Sequence, residues 1–153
     1  MNIEKSDNTM KNEKIVKIKL CPDATMPTKG SVGAAGSDLH AFIHSSIDLQ
    51  PGERKLISTG IHISMPQSCY ARIAPRSGLA VKGIDISAGV VDSDYTGCIK
   101  VLVVNNSKEI FTIVHGDRIA QIIFEKIINP VWISTEVLDY TDRGADGFGS
   151  TGI

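Results

Sequence analysis

Residues 61–73 read IHISMPQSCYARI, and the alternation within this stretch indicates the fold class. Apolar residues alternate with polar ones on both sides of an interruption at Pro66. Alternation with a period of two is typical of a half-buried β-strand, because successive side chains of an extended chain point to opposite faces. Proline lacks the N–H that an inner strand position needs, so the two runs are separate elements. The stretch therefore predicts two strands joined by a turn.

The same kind of pattern continues along the chain in both directions. Alternation at 16–20 predicts a further strand, and apolar runs predict others at 98–104, 119–124 and 131–133. The run at 98–104 is almost continuously apolar, which is typical of a strand covered on both faces. One helical turn is predicted near 77–82, and no segment of helical length has a clean 3.6-residue period. Short strands separated by turns favour a β-sandwich or barrel.

Length and composition fit one globular domain flanked by two polar arms. The chain has 153 residues, which is enough to bury an ordinary core without disulfides or a structural metal. Residues 1–13 are polar and lack periodicity, so we expect a flexible N-terminal arm there. Residues 141–153 contain four glycines and few apolar residues, so we expect a mobile C-terminal arm. The β domain is expected at 14–140.

Charge and cysteine content exclude several classes of protein. The chain has 16 Lys and Arg residues against 17 Asp and Glu residues, so no strong field draws it to nucleic acid or to an anionic membrane. Its three cysteines lie far apart and form no CxxC pair, which predicts free thiols and disfavours a zinc ribbon or a zinc-dependent deaminase. No apolar run approaches the ~20 residues of a membrane span, and the first residues have no secretory apolar core. We therefore expect a soluble intracellular protein, cytoplasmic or nuclear.

Five short segments combine glycine with charged or hydroxyl side chains. They read AGSDLHA at 35–41, PRSGLA at 75–80, AGVVDSDYTG at 88–97, GDRIAQIIF at 116–124 and RGADGFGSTG at 143–152. Taken singly, each has an ordinary structural explanation, such as a helix N-cap, a polar hairpin turn or a disordered tail. Taken together, they place anion-binding and base-stacking groups on one small domain.

Two of the segments carry groups that suit a phosphate. Arg76 offers a planar bidentate fork, and Ser77 and Gly78 add a hydroxyl and a backbone N–H that a ligand can approach closely. The C-terminal segment contains the same kinds of groups, in the guanidinium of Arg143 and the hydroxyls of Ser150 and Thr151. Two such anion-binding segments suit a polyphosphate.

An aromatic ring and a carboxylate complete the set of candidate groups. Phe148 lies between two glycines and is able to stack on a nucleobase. Asp92 follows two valines, which predicts a partly desolvated carboxylate at a strand end and a candidate general base for activating water. The sequence contains no evident Ser-His-Asp or Cys-His system, and the C-terminal segment lacks the Gly-Lys-[Ser/Thr] of a Walker P-loop.

The five segments, in this order and over about residues 15–152, resemble the five motifs of the trimeric dUTPase family. The resemblance implies a jelly-roll-like (β-clip) subunit with at most one short helix. It implies a homotrimer with active sites at subunit interfaces, each closed by residues 141–153 of a neighbour. It also implies the Mg²⁺-dependent hydrolysis of dUTP to dUMP and pyrophosphate, which keeps uracil out of DNA and supplies dUMP for dTMP synthesis.

The resemblance also implies a role for each motif residue. Asp92 would activate the water that attacks the α-phosphorus, Tyr95 would exclude a 2′-hydroxyl, and Asp38 would steady the metal through its water shell. The hairpin that includes Gly89, Val90, Val91 and Lys100 would read uracil through its backbone. The remaining contacts would come from phosphate-binding Arg76, Ser77 and Gly78, from Gln121 near the α-phosphate, from Phe148 and Gly149 at the base, and from Arg143, Ser150 and Thr151 at the γ-phosphate.

Two other functions fit the same subunit fold. A dCTP deaminase or bifunctional relative needs a glutamate near the pyrimidine C4, and the third motif presents Asp92 without one. A non-catalytic nucleotide-binding or signalling protein is the second alternative, and the intact motifs disfavour it. One departure from the family pattern is Asp146, which adds a negative charge where many relatives have glycine.

Overall fold

The computed structural model describes residues 14–147, and within them the chain forms ten β-strands and one helix of four residues. The strands are β1 (Lys17–Leu20), β2 (Ser37–His40), β3 (Ile47–Leu49), β4 (Arg54–Ser64), β5 (Cys69–Ala74), β6 (Ile84–Ser87), β7 (Val90–Val91), β8 (Cys98–Asn105), β9 (Phe111–Ile113) and β10 (Arg118–Lys126). The helix, α1, spans Ser77–Ala80. No helix in the described range is long and apolar enough to cross a membrane.

The strands pair antiparallel in two four-stranded sheets and one two-stranded ribbon. The first sheet has the order β1-β4-β8-β6, the second has the order β2-β10-β5-β7, and β3 pairs with β9. This all-β arrangement, in which the chain passes repeatedly from one sheet to the other between strands, fits a jelly-roll-like fold. The prediction of an all-β subunit with at most one short helix is confirmed.

The two strands predicted from residues 61–73 belong to different sheets. β4 lies inside the first sheet and β5 inside the second, so the turn at Pro66 carries the chain from one sheet to the other. The turn is closed by a hydrogen bond from the Cys69 N–H to the Pro66 carbonyl, at 3.3 Å. The apolar faces of the two strands meet between the sheets, where Ile61, Ile63, Ala71 and Ile73 are all buried.

The core is built from inward-facing residues of the two four-stranded sheets and of the β3–β9 ribbon. Its fully buried large apolar side chains are Leu39, Leu49, Ile57, Ile61, Ile84, Ile99, Val101, Val103, Ile113 and Ile119. Burial of an aliphatic side chain of this size contributes about 1.5–3 kcal/mol, so this core accounts for the main stabilising contribution.

Two predictions made from apolar runs are wrong in detail. The run at 98–104 is fully covered on one face and unevenly covered on the other, where Val104 is buried, Leu102 is half-buried and Lys100 is exposed. The run at 131–133 forms no strand, and its central residue, Trp132, is 91% exposed. Neighbouring apolar side chains of the segment 127–140 are exposed as well.

Candidate active site

Four of the five glycine-containing segments lie on the second sheet or directly after one of its strands. β2 carries Asp38, β10 carries Gln121, β5 leads into Arg76, and β7 leads into Asp92. Gln121 is paired with Asp38 on one side and with Ala74 on the other, so the first, second and fourth segments meet across three adjacent strands.

The Asp38 carboxylate is the centre of a cluster with two guanidinium groups. Its Oδ1 accepts a hydrogen bond from the Arg76 Nε at 2.9 Å, and its Oδ2 lies 3.4 Å from the Arg118 Nη1. The Arg76 Nη1 also donates to the Arg118 backbone carbonyl at 3.3 Å. The Arg76 side chain keeps 27% of its surface exposed, so its position is fixed while part of the guanidinium remains accessible to an anion.

Arg118 and His40 are members of this cluster that the sequence patterns did not identify. They are directly opposite each other on β10 and β2. Burial lowers the pKa of His40 below its ordinary value of 6.5; Asp38 opposes this shift, and Arg118 and Arg76 add to it. The His40 Nδ1 is buried without a hydrogen-bond partner in the described part of the chain. His40 therefore favours its neutral form beside two arginines.

The small residues of the second segment, Ser77 and Gly78, are exposed to solvent. α1 starts after Arg76, whose side chain has only N–H donors and so does not cap the helix; it contacts Asp38 instead. Ser77 and Gly78 are exposed, and nothing lies within 4 Å of the position that a Cβ of Gly78 would occupy. A ligand can therefore approach the backbone at this point.

The third segment lines a pocket with a volume of about 420 Å³. Six predicted site residues line it, namely Gly89, Val90, Val91, Asp92, Tyr95 and Lys100. Gly89 has φ +99°, and a Cβ there would lie 2.6 Å from the Ile73 carbonyl oxygen, so only glycine fits. The Ile73 N–H donates to the Gly89 carbonyl at 2.7 Å, which holds the pocket to β5.

The Tyr95 ring is held in one place within this segment. Its hydroxyl donates to the Cys98 carbonyl at 3.0 Å, and a Cβ on Gly97 would lie 2.5 Å from that hydroxyl. The loop is also joined to β4, since the His62 Nδ1 lies 3.1 Å from the Thr96 carbonyl oxygen. The ring is 45% exposed and forms one wall of the pocket.

The environment of Asp92 differs from the prediction of a partly desolvated carboxylate. Asp92 does follow a strand, but its side chain is exposed. The reason is that β7 has two residues and lies at the edge of the second sheet, so no further strand covers its end.

Asp92 and Arg76 lie far apart within one chain. Val91, which precedes Asp92, is paired with Ala71, whereas the chain from Ala71 to Arg76 runs on in extended form. At ~3.3 Å per residue, the path from position 71 to position 76 spans about 16 Å. A single chain therefore holds the candidate base and the Asp38–Arg76 pair at different places on one sheet.

The structure covers only the beginning of the fifth segment. Arg143 is exposed, and its Nε donates to the Asp146 backbone carbonyl at 2.9 Å. Phe148, Gly149, Ser150 and Thr151 lie outside the described residues.

The acidic and histidine side chains do not form a ready-made metal cage. Within residues 14–147, no three His, Cys, Asp or Glu side chains are grouped as metal ligands. Asp38 is thus a single carboxylate already engaged by two arginines. A Mg²⁺ ion at this place would therefore need to be held mainly by its own waters and by a ligand's phosphates.

Comparison with known proteins gives consistent matches. The sequence profile of the dUTPase family matches residues 22–152. The deoxyuridine 5′-triphosphate nucleotidohydrolase of cowpox virus is 55% identical over 130 residues, covering 85% of this chain and 87% of that protein. The enzyme of the same name from vaccinia virus, strain Copenhagen, is 53% identical over the same shares of the two chains.

Solved structures show the same fold. The Staphylococcus bacteriophage 80alpha dUTPase with dUPNHPP is 25% identical and matches with a TM-score of 0.81, over 92% of this chain and 99% of that chain. A mutant dUTPase from phage phi11 of S. aureus, described with a structural Mg(II) ion, is 23% identical with a TM-score of 0.74, over 83% of this chain and 100% of that one. With the five motifs, the pocket of the third segment and these relatives in agreement, the chain belongs to the dUTPase family.

Proposed function

We propose that the protein is a dUTP diphosphatase that hydrolyses dUTP to dUMP and pyrophosphate with Mg²⁺. The observation that carries this proposal is the pocket of the third segment, where Gly89 packs against the Ile73 backbone and Tyr95 forms a fixed wall. A planar base read mainly by backbone groups, and a sugar packed on an aromatic ring, fit such a pocket.

Asp92 is proposed as the general base. Its carboxylate takes a proton from a water molecule whose oxygen forms a bond to the α-phosphorus of dUTP. The bond between the α-phosphorus and the oxygen that bridges to the β-phosphate then breaks, and pyrophosphate leaves. The exposed position of Asp92 at the end of β7 leaves its carboxylate free to meet a substrate and a water molecule.

The phosphate chain is proposed to lie against the second and fourth segments. Arg76, held by Asp38 through its Nε, directs its remaining N–H groups to the phosphates, beside Ser77, Gly78 and Gln121. Mg²⁺, when bound, neutralises part of the triphosphate charge, and Asp38 holds it through water. Residues beyond the described range complete the site in this proposal, with Phe148 and Gly149 at the base and Ser150 and Thr151, together with Arg143, at the γ-phosphate.

Substrate selection is assigned to the third segment. The Tyr95 ring, fixed over Gly97, is proposed to pack under the deoxyribose and to exclude a 2′-hydroxyl. The hairpin from Gly89 to Lys100 is proposed to leave no room for the 5-methyl group of thymine. Asp92 is the single carboxylate that lines the pocket among the described residues, and this composition disfavours deamination at the pyrimidine C4.

The proposed reaction requires more than one chain at each site. The separation of about 16 Å along the sheet between the Asp92 end and the Arg76 end is too long for both groups to act on one α-phosphate. A homotrimer with shared sites removes this difficulty, because the base of one subunit then faces the Asp38–Arg76 pair of another.

The exposed apolar side chains of residues 127–140 support assembly, because large exposed apolar patches mark interaction sites. In this proposal residues 14–140 form the subunit, and residues 141–153 close over a neighbour's site. The N-terminal arm expected at residues 1–13 lies outside the described residues. Acting on dUTP in the cytoplasm or nucleus, the enzyme would keep uracil out of DNA and supply dUMP for dTMP synthesis.

A nucleotide panel tests the proposal. Purified protein with Mg²⁺ is given dUTP, dTTP, dCTP and UTP in parallel, and pyrophosphate and ammonia are both measured. We expect rapid pyrophosphate release from dUTP alone. Ammonia release from dCTP would instead support a deaminase, and the absence of any turnover would support a non-catalytic binding protein.

A further inference from the structure

Gly36 lies directly beneath the Gln121 side chain. A Cβ at position 36 would be 2.2 Å from the Gln121 Oε1, 2.9 Å from its Cδ and 3.0 Å from its Cβ. Gly36 is buried, and it is not among the described residues with positive φ. The position therefore needs glycine for space and not for an unusual backbone conformation.

The Gln121 carboxamide is fixed at its other end by the second segment. Its Nε2 donates a hydrogen bond to the Pro75 carbonyl at 2.9 Å. A carbonyl oxygen accepts hydrogen bonds and cannot donate them, so the atom facing Pro75 must be the nitrogen. The oxygen of the carboxamide is then the atom that lies over Gly36, and the group has one orientation.

These two contacts join the segments that hold the Asp38–Arg76 pair. Gln121 is the register partner of Asp38, and Pro75 is the residue before Arg76. The carboxamide therefore lies beside the charged cluster, with its nitrogen and its oxygen each assigned to one neighbour.

We propose that Gly36 is a positioning residue for dUTP hydrolysis, which acts by leaving the space that holds the Gln121 carboxamide in this orientation. This inference rests on the proposed function, in which Gln121 works near the α-phosphate. Gly36 makes no contact with the substrate in this proposal.

A side chain at position 36 should change the orientation at little cost to folding. Two of the atoms that a Cβ would meet, Oε1 and Cδ, belong to the part of the Gln121 side chain that can rotate. The third, the Gln121 Cβ at 3.0 Å, needs a shift of only a few tenths of an ångström. Rotation breaks the hydrogen bond to Pro75 and displaces the carboxamide by an ångström or more. Displacement of about 1 Å near reacting atoms can reduce turnover about 100-fold.

A double-mutant cycle tests the inference. Gly36→Ala, Gln121→Ala and the double variant are compared with the unmodified protein for kcat, KM and thermal unfolding. Gly33→Ala is the matched control, because nothing lies within 4 Å of its Cβ position. We expect Gly36→Ala to lower kcat about 10- to 100-fold with a smaller change in KM. The double variant should be no slower than Gln121→Ala, and Gly33→Ala should behave like the unmodified protein.

Several results would overturn the inference. One such result is an unchanged kcat for Gly36→Ala. Another is that Gly36→Ala lowers kcat by the same factor in the presence and in the absence of the Gln121 side chain, because the decrease would then not act through the carboxamide. A failure of the proposed function is distinguishable, since the unmodified protein would then leave dUTP intact. If Gly36→Ala folds poorly, the double variant should have a higher melting temperature than Gly36→Ala alone, because the clashing carboxamide has been removed. No such increase would reject the packing argument.

Discussion

The guanidinium of Arg76 and the carboxylate of Asp38 form an ion pair, with Nε and Oδ1 separated by 2.9 Å, although the residues lie 38 positions apart in the chain. Asp38 also faces Arg118. One carboxylate thus contacts two guanidinium groups and sets the direction of the Arg76 fork. This pairing connects the first, second and fourth motifs before any substrate is present.

Replacing Asp38 by Asn tests this pairing. The amide keeps the size of the side chain but leaves two guanidinium groups without a counter-charge. We expect kcat/KM for dUTP to fall about 10- to 100-fold, because Arg76 loses its fixed position. Steady-state kinetics at several Mg²⁺ concentrations check this. Asp48→Asn, on the exposed face of β3, is the control and should have near-normal kinetics.

Asp92→Asn should abolish turnover while largely sparing nucleotide binding. The substitution removes the proposed base but keeps its shape, and loss of a general base costs about 100- to 10,000-fold. Turnover of dUTP and calorimetric binding of a non-hydrolysable analogue measure the two effects separately. Asp94→Asn, in the same loop but outside the pocket lining, serves as the control. Near-normal turnover by Asp92→Asn would reject Asp92 as the base.

Gly97→Ala should weaken the selection of deoxyribose over ribose. A Cβ at this position would lie within 2.5–2.9 Å of three Tyr95 atoms, so the ring must move. The ratio of kcat/KM for dUTP to that for UTP should then fall, on the order of 10-fold, since the wall against the 2′-hydroxyl is displaced. Parallel assays with the two nucleotides measure this ratio. An unchanged ratio would show that the wall lies elsewhere.

Glu125→Gln should lower the melting temperature in a pH-dependent way. The Glu125 carboxylate accepts hydrogen bonds from the Tyr70 hydroxyl at 2.6 Å and from the Arg72 Nε at 2.9 Å. The bond from Tyr70, followed by that from Arg72, lowers the pKa of Glu125 below its ordinary value of 4.5. The folded chain therefore binds fewer protons here than the unfolded chain, so the stabilising effect is present above about pH 4.5 and is lost as the pH falls through the folded pKa.

Melting curves of the unmodified protein and of Glu125→Gln from pH 7 down to pH 3 check this expectation. The difference between them should be largest at pH 7 and should shrink below about pH 4.5. Glu136→Gln, outside the strands, controls for the loss of one charge. A difference that stays constant with pH would assign the effect to packing and not to ionisation.

Deletion of residues 143–153 should leave the fold intact but reduce turnover by orders of magnitude. Residues 143–147, the described part of the deleted segment, are not members of the buried core, whose last member is Ile122 in β10. The deleted segment carries the proposed closing groups. Circular dichroism and light scattering check fold and assembly, and pyrophosphate release checks activity. Unchanged activity would show that this arm is not part of the site.

Local alternation and apolar runs were sufficient to predict several strands, but not the short strands β2, β3, β6 and β9, and not the pairing of strands into sheets. The runs around Pro66 are strands because the period of two is a property of each run alone. The uneven burial of the second face of β8 was not predictable in this way, because an apolar run does not reveal which other segments cover that face. The exposed Asp92 is a similar case, since the edge position of β7 depends on strand order.

In the site, too, residues that are close in sequence could be predicted, whereas contacts between residues far apart in sequence could not. The motif residues of the third segment were identifiable, since they are neighbours in the chain and line one pocket. Arg118 was missed because its partner, Asp38, lies 80 positions away. The contact between Gly36 and Gln121 was missed for the same reason, as only the pairing of β2 with β10 brings them together.

The exposed position of Trp132 gives the protein a built-in optical reporter. It is the only tryptophan in the chain, and 91% of its surface is open to solvent in the isolated subunit. Indole emission shifts to shorter wavelengths when the ring leaves water. If residues 127–140 pack against a neighbour, a dilution series of the unlabelled protein should move the emission maximum to longer wavelengths as subunits separate. The dissociation constant of the assembly could then be measured without any added dye.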